Sequence, residues 1–130
     1  MIDQKVTQRV LAKDPRGRAE TRRFGFAPVS ITATTEATAQ VIVAAGEGEV
    51  VEISALNVSC GGTAGNVSLC IVESGGVPSA SNLAVDAATV AANTIIALGS
   101  QILLNRGQSL YAFSDAAGNL RVSGWVTAHL

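Results

Sequence analysis

The chain has 130 residues, a net charge of −1, 48% apolar residues and only 4% aromatics. That length holds one domain, or one domain with an arm, and a body of about 100 residues can bury roughly 65% of its unfolded surface. No run approaches the roughly 20 apolar residues of a membrane span, and the charged N-terminus lacks the apolar stretch of a secretory leader, so neither is expected.

The small net charge hides an asymmetry. Residues 1–23 carry seven basic side chains (Lys5, Arg9, Lys13, Arg16, Arg18, Arg22, Arg23) against three acids, about +4. Residues 24–130 carry Arg106 and Arg121 against seven acids, about −5. A basic arm on an acidic body is suited to a negatively charged partner, either nucleic acid or an acidic protein surface. Residues 1–13 can form a short amphipathic helix, with Lys5, Arg9 and Lys13 on one face and Val6 and Val10 on another, or stay disordered until bound. Asp14-Pro15 ends that segment. Phe24 and Phe26, around Gly25 and before Pro28, read as apolar anchors at the junction with the body. Two regions follow: a basic N-terminal arm over 1–28 and a sheet domain over 29–130.

From Val29 the apolar period becomes two, with Val29, Ile31 and Ala33 alternating with Ser30, Thr32 and Thr34. Residues 39–45 are nearly all apolar and predict a strand buried on both faces. Gly46-Glu47-Gly48 predicts a turn. Residues 49–58 predict a long strand whose phase slips, since Val51 and Ile53 point one way and Leu56 and Val58 the other; a bulge near Ala55 is expected. Residues 66–73 alternate, with Val67, Leu69 and Ile71 on one face. Residues 74–82 are a loop. Residues 84–92 fit either a helix, on alanine content, or a strand. Residues 93–104 predict one or two further strands around Gly99-Ser100.

Residues 105–125 hold three of the chain's five aromatics, Tyr111, Phe113 and Trp125. They read as a turn at 105–108, a strand over 109–114, a tight loop and a strand over 120–127. The loop residues Asp115, Gly118 and Asn119 suit a hairpin, so this stretch is expected to carry the core's aromatic anchors. The total is about seven to nine short strands, the pattern of an all-β antiparallel sandwich or jelly roll with an extended N-terminal arm. With so few aromatics the core should be thin, and a homo-oligomer, a trimer, would complete its burial.

Chemistry is sparse. His129 is the only histidine and is penultimate, a poor place for a catalytic base. No His, Cys, Asp and Glu cluster has metal-ligand spacing, and no glycine loop has the pattern of a phosphate or dinucleotide site. Glu47, Glu49 and Glu52 read as a solvated turn and strand face. Cys60 and Cys70 read as two buried thiols that do not face each other. No catalytic residue, metal or cofactor is expected. Nucleic-acid binding is disfavoured, because the basic residues lie on an arm rather than among aromatics on a folded face. A carbohydrate-binding module would need aromatics in its loops, and 60–65 and 74–82 have none.

The runs Ser54-Ala-Leu-Asn-Val58, Asn66-Val-Ser-Leu-Cys-Ile-Val-Glu73, Ile102-Leu-Leu-Asn-Arg-Gly-Gln-Ser-Leu-Tyr-Ala112 and Val122-Ser-Gly-Trp-Val126 resemble a family of small β-sandwich virion proteins of tailed bacteriophages. The resemblance covers about 80 residues of strand and turn pattern, with Gln108 where an Asp is common, and carries no catalytic signature. It implies a non-enzymatic capsid decoration (cement) protein on the phage head surface, made in the host cytoplasm. Such proteins commonly extend an N-terminal segment over adjacent capsomers. Here Lys5, Arg9, Lys13, Arg16, Arg18, Arg22 and Arg23 would contact the major capsid protein, with Phe24 and Phe26 as anchors. Roughly 25 extended residues reach on the order of 80 Å. The alternative is a structural or receptor-binding component of the tail, neck or baseplate, whose arm docks on a tail ring protein. Deleting 1–26 is expected to leave the body folded and abolish shell binding.

Overall fold

The structure, a computed structural model, describes residues 21–98, 102–115 and 119–129. The described residues form nine strands: β1 (Thr21–Ile31), β2 (Gln40–Ala44), β3 (Val50–Cys60), β4 (Gly65–Val72), β5 (Leu83–Val90), β6 (Ile95–Ala97), β7 (Ile102–Leu104), β8 (Ser109–Ser114) and β9 (Leu120–His129). Every pairing is antiparallel. Among the described residues, sheet I has five strands and runs β1-β9-β3, with β6 and β7 sharing the far edge of β3, and sheet II has four and runs β2-β8-β4-β5. The all-β sandwich expected from the alternation is the architecture found.

The core lies between the two inner faces and is aliphatic. Sheet I contributes Ile31, Ile53, Leu56, Val58, Leu120, Val122 and Val126, and sheet II contributes Val67, Leu69, Val90, Leu110 and Ala112. Burying each Val, Leu or Ile removes enough apolar surface from water to stabilise the fold by about 1.5–3 kcal/mol. Strand alternation puts these residues on one side of each sheet.

The phase slip in β3 is a bulge. Trp125 of β9 opposes Ala55, but the next residue, Val126, opposes Ile53, so Ser54 is extra. The Ser54 hydroxyl donates to the Trp125 carbonyl oxygen at 3.2 Å. A second bulge in β1 falls at Ala27-Pro28, where Val29 faces Val122 and Phe26 faces Gly124. Proline has no N–H to donate, so a bulge on the outermost described strand suits it. The turn at 105–108 also forms: Gln108 N–H donates to the Asn105 carbonyl at 3.0 Å, and Gly107 takes φ +80°. Of residues 84–92, 84–90 prove to be strand, because β5 pairs along β4 and that pairing outweighs the helix preference of alanine.

Three expectations are corrected. First, the strands at 109–114 and 120–127 do not form a hairpin. β8 pairs with β2 and β4 in sheet II, and β9 pairs with β1 and β3 in sheet I. From opposite sheets, Leu110 and Ala112 of β8 and Leu120, Val122 and Val126 of β9 all turn into the one core. Residues 116–118 of the connecting loop lie outside the described residues. Second, Tyr111, Phe113 and Trp125 are not core anchors. Leu110 and Ala112 take the inner face of β8, which sends Tyr111 and Phe113 outward, and Trp125 is 51% exposed. Third, the strand within 39–45 is not buried on both faces. It is the edge strand β2, and Val41 is 48% exposed on its outer side.

The boundary between arm and body also moves. Residues 21–28, assigned above to the arm, belong to β1, with Arg22 opposite Ala128, Arg23 opposite Thr127 and Phe24 opposite Val126.

Candidate interaction surfaces

The two outer faces of the sandwich differ in charge. On sheet I, Trp125 projects from β9 directly opposite Gly25 of β1. A side chain at Gly25 would begin 3.5 Å from the indole, in ordinary van der Waals contact with it. The Arg23 guanidinium lies over that ring, 5.7 Å from its centroid; on the opposite face of β1, Arg22 lies over the Phe24 ring at 5.3 Å. Cation–π contact holds both arginines along β1, and both are exposed. Arg121 is exposed further along β9. At the other end of β9, His129 Nε2 lies 4.0 Å from a Glu52 carboxylate oxygen, both half exposed.

On sheet II, the outer face holds an open cavity of about 230 Å³. Four separate segments build it. Thr34 and Glu36 come from the link between β1 and β2, Asn66 and Ser68 from β4, Leu83, Asp86 and Ala87 from β5, and Phe113 to Asp115 from the end of β8. Its shape comes from a bulge in β5, where Asp86 and Ala87 sit between the pairs Val67↔Ala88 and Leu69↔Val85. Ala87 takes φ +53°, and its N–H donates to the Ser68 hydroxyl oxygen at 2.9 Å. Left-handed backbone costs an alanine about 1–2 kcal/mol, so the bulge is held by its pairing and by Ser68.

The cavity rim is acidic. Asp115 accepts from the Asn66 backbone N–H and from the Asn66 side-chain amide, each at 2.8 Å. Those hydrogen bonds favour the carboxylate and hold Asp115 below its ordinary pKa. Glu36 and Asp86 add two further carboxyl groups, and among the described residues no basic one lines the cavity. Beside it, burial and then the Glu36 charge push the Cys70 thiol above its ordinary pKa. Cys60 and Cys70 are both free and buried, and stand in different sheets.

Of the expected contact residues, the structure brings Arg22, Arg23 and Phe24 to β1 and places Trp125 beside it on β9: Arg23 and Trp125 share the outer face, while Arg22 and Phe24 lie on the face of Val126 and Ala128. Phe26 turns inward and packs on the core. Lys5, Arg9, Lys13, Arg16 and Arg18, with the possible helix over 1–13, lie outside the described residues. Among the described residues, no group of three or more His, Cys, Asp or Glu could hold a metal ion. Sequence reasoning missed Glu36, Asp86 and Asp115 as neighbours. They lie in segments far apart in the chain, and no local spacing connects them.

No protein-family model and no curated protein matches the chain. Among solved structures, it is similar to a chain of the Bacillus endospore appendages, described as a novel family of disulfide-linked pili, with a TM-score of 0.51 and 16% identity. The match covers 93% of this chain and 96% of that one, a likeness of fold.

Proposed function

We propose that this chain is a non-enzymatic structural subunit, and specifically a decoration protein of a tailed-phage head that joins neighbouring major capsid subunits through its basic N-terminal segment. The observation that supports this reading is the outward display of arginines and aromatics over an aliphatic core. Trp125 and Phe24 are exposed at 51% and 40%, under Arg23 and Arg22 respectively. Trp and Arg are the residues that most often dominate protein interfaces, and a monomer gains little from leaving them in water. Bound only to the assembled shell, many copies would stabilise it by mass action.

A tail, neck or baseplate part would use the same surfaces. Quantitative mass spectrometry of the virion against its major capsid protein separates the readings. Hundreds of copies per particle are expected for a decoration protein. A handful to a few dozen would indicate a tail or neck part, and absence from the particle would overturn the virion reading.

The likeness to a pilus chain favours a second reading, a filament subunit. Cys60 and Cys70 are buried, so a filament of this chain would be held by non-covalent contacts of the folded body rather than by disulfides between these two residues. Electron microscopy of the purified protein would reveal such filaments.

A further inference from the structure

We infer that the outer face of sheet I is self-complementary and packs on the same face of a second copy of this chain, around a twofold axis. The inference goes beyond the reading of the chain as a structural subunit and does not depend on which particle it builds. It differs from the trimer expected from composition, which would join two different surfaces.

Opposed residues of an antiparallel pair share a face, so the strand registers lay this surface out in rows. Near one end, Thr127 of β9, Glu52 of β3 and Leu103 of β7 form a row. Near the other end, Arg121 of β9, Ser59 of β3 and Ile95 of β6 form a second. Trp125 stands between the two rows, flanked by Gly25 and Ala55. Trp125, Leu103 and Ile95 are each more than half exposed. Large apolar side chains gathered on one sheet face mark a contact surface rather than the scatter of a monomer.

The two rows match when one copy is turned over onto the other. A twofold axis lying across the strands, between Trp125 and Ser123, exchanges the ends of the face and keeps each strand position over itself. Leu103 and Ile95 both lie at the far edge of β3, so Ile95 of each copy meets Leu103 of the other. Arg121 arrives over Thr127, one strand spacing, about 4.8 Å, from Glu52. Arg23 stands on the other side of Thr127, but its guanidinium lies over the Trp125 ring, toward the middle of the face. Glu52 is therefore the charge that Arg121 of the other copy meets. Trp125 comes down on Ser123, which is small enough to seat the ring. Packed sheets cross at about −30°, which shifts the ends of such a face by about 5 Å, within reach of an arginine side chain. The twofold makes each of these contacts twice. The face spans on the order of 600 Å² per copy, or about 1,200 Å² for the pair, above the roughly 1,000 Å² that a specific interface needs.

The test uses full-length protein in sedimentation velocity, with the emission of Trp125, the chain's one tryptophan, as a local readout. Wild type is expected to pass from monomer to dimer between about 0.1 and about 100 µM, and acrylamide quenching of Trp125 should fall over the same range. Arg121→Glu and Glu52→Arg should each weaken the dimer at least about tenfold, since each loses two opposite-charge contacts and gains two like-charge ones. Mixing the two variants should restore wild-type affinity, because both charge pairs re-form in the mixed dimer. Ile95→Ser should also weaken it at least about tenfold. Circular dichroism checks that the variants are folded; where a charge reversal is not, Arg121→Gln or Glu52→Gln replaces it with the same direction of loss. A wild type that stays monomeric, a mixture that fails to recover, or association that leaves Trp125 quenching unchanged overturns the inference. Trp125 shielded already in the dilute monomer overturns it too, since a segment of the same chain then covers the face. Each of these failures leaves the structural-subunit reading to be decided by copy number in the particle.

Discussion

A methyl group added at Gly124 would sit 2.1 Å from the Ala55 carbonyl oxygen, deep inside contact distance. The bulge at Ser54 brings that carbonyl against β9, so the position admits no side chain. Gly124→Ala is expected to destabilise the protein by about 2–3 kcal/mol in urea unfolding, as overpacking does. At Gly48 an added methyl meets nothing within 4 Å, and Gly48→Ala should stay within about 0.5 kcal/mol of wild type. Asp115 makes a second prediction. Its folded pKa is lowered by Asn66, so the stability it contributes is fully present above the unfolded value and is lost as pH falls through the folded one. Wild-type Tm should therefore fall more steeply than that of Asp115→Asn as pH drops below about 4. Equal slopes for the two proteins would show that Asp115 is unlinked to folding.

At the scale of elements, each strand buries the face that meets the other sheet, and the aromatics of β8 and β9 lie on the face that does not. Leu110 is fully buried, whereas Trp125 is half exposed over Gly25. Leu110→Ala should cost about 2–5 kcal/mol through lost burial and a cavity. Trp125→Ala should cost only about 1 kcal/mol, mostly from the lost stacking with Arg23. Unfolding free energies in the reverse order would return Trp125 to the core. The alternation of 109–114 was legible in the sequence, including that Leu110 and Ala112 share one face. Which of its two faces is covered was not legible, because period two is indifferent to which side another sheet approaches. Aromatic side chains bury the most area in general, but here the inner layer is filled by Leu, Ile and Val.

For the whole molecule, the place where body begins matters most. Thr21 to Phe26 pair along residues 124–129 of β9 and help cover Val126 and Ala128. Deleting 1–26 removes that cover; deleting 1–20 leaves β1 whole. Thermal unfolding should therefore show the 1–26 deletion melting lower than the 1–20 deletion. Matching Tm values would mean that the N-terminal half of β1 contributes nothing to the fold. The charge run was legible as basic, yet Arg22 and Arg23 turn out to be strand residues. Long polar side chains on the outermost described strand leave the same local signature as a solvated arm.

The amino-acid sequence alone determined what depends on neighbouring residues: the all-β class, the slip in β3 that marks its bulge, and the Gly107 turn. Local backbone geometry and side-chain alternation suffice for those. The tertiary structure alone decided which sheet each strand joins, that β8 and β9 lie in opposite sheets instead of pairing, that the two cysteines stand in different sheets, and that Tyr111, Phe113 and Trp125 look outward. It also assembled the acidic cavity, by bringing Glu36, Asn66, Asp86 and Asp115 together from four segments. Such contacts are set by how strands stack and cross between sheets, and a period of two residues carries no record of that.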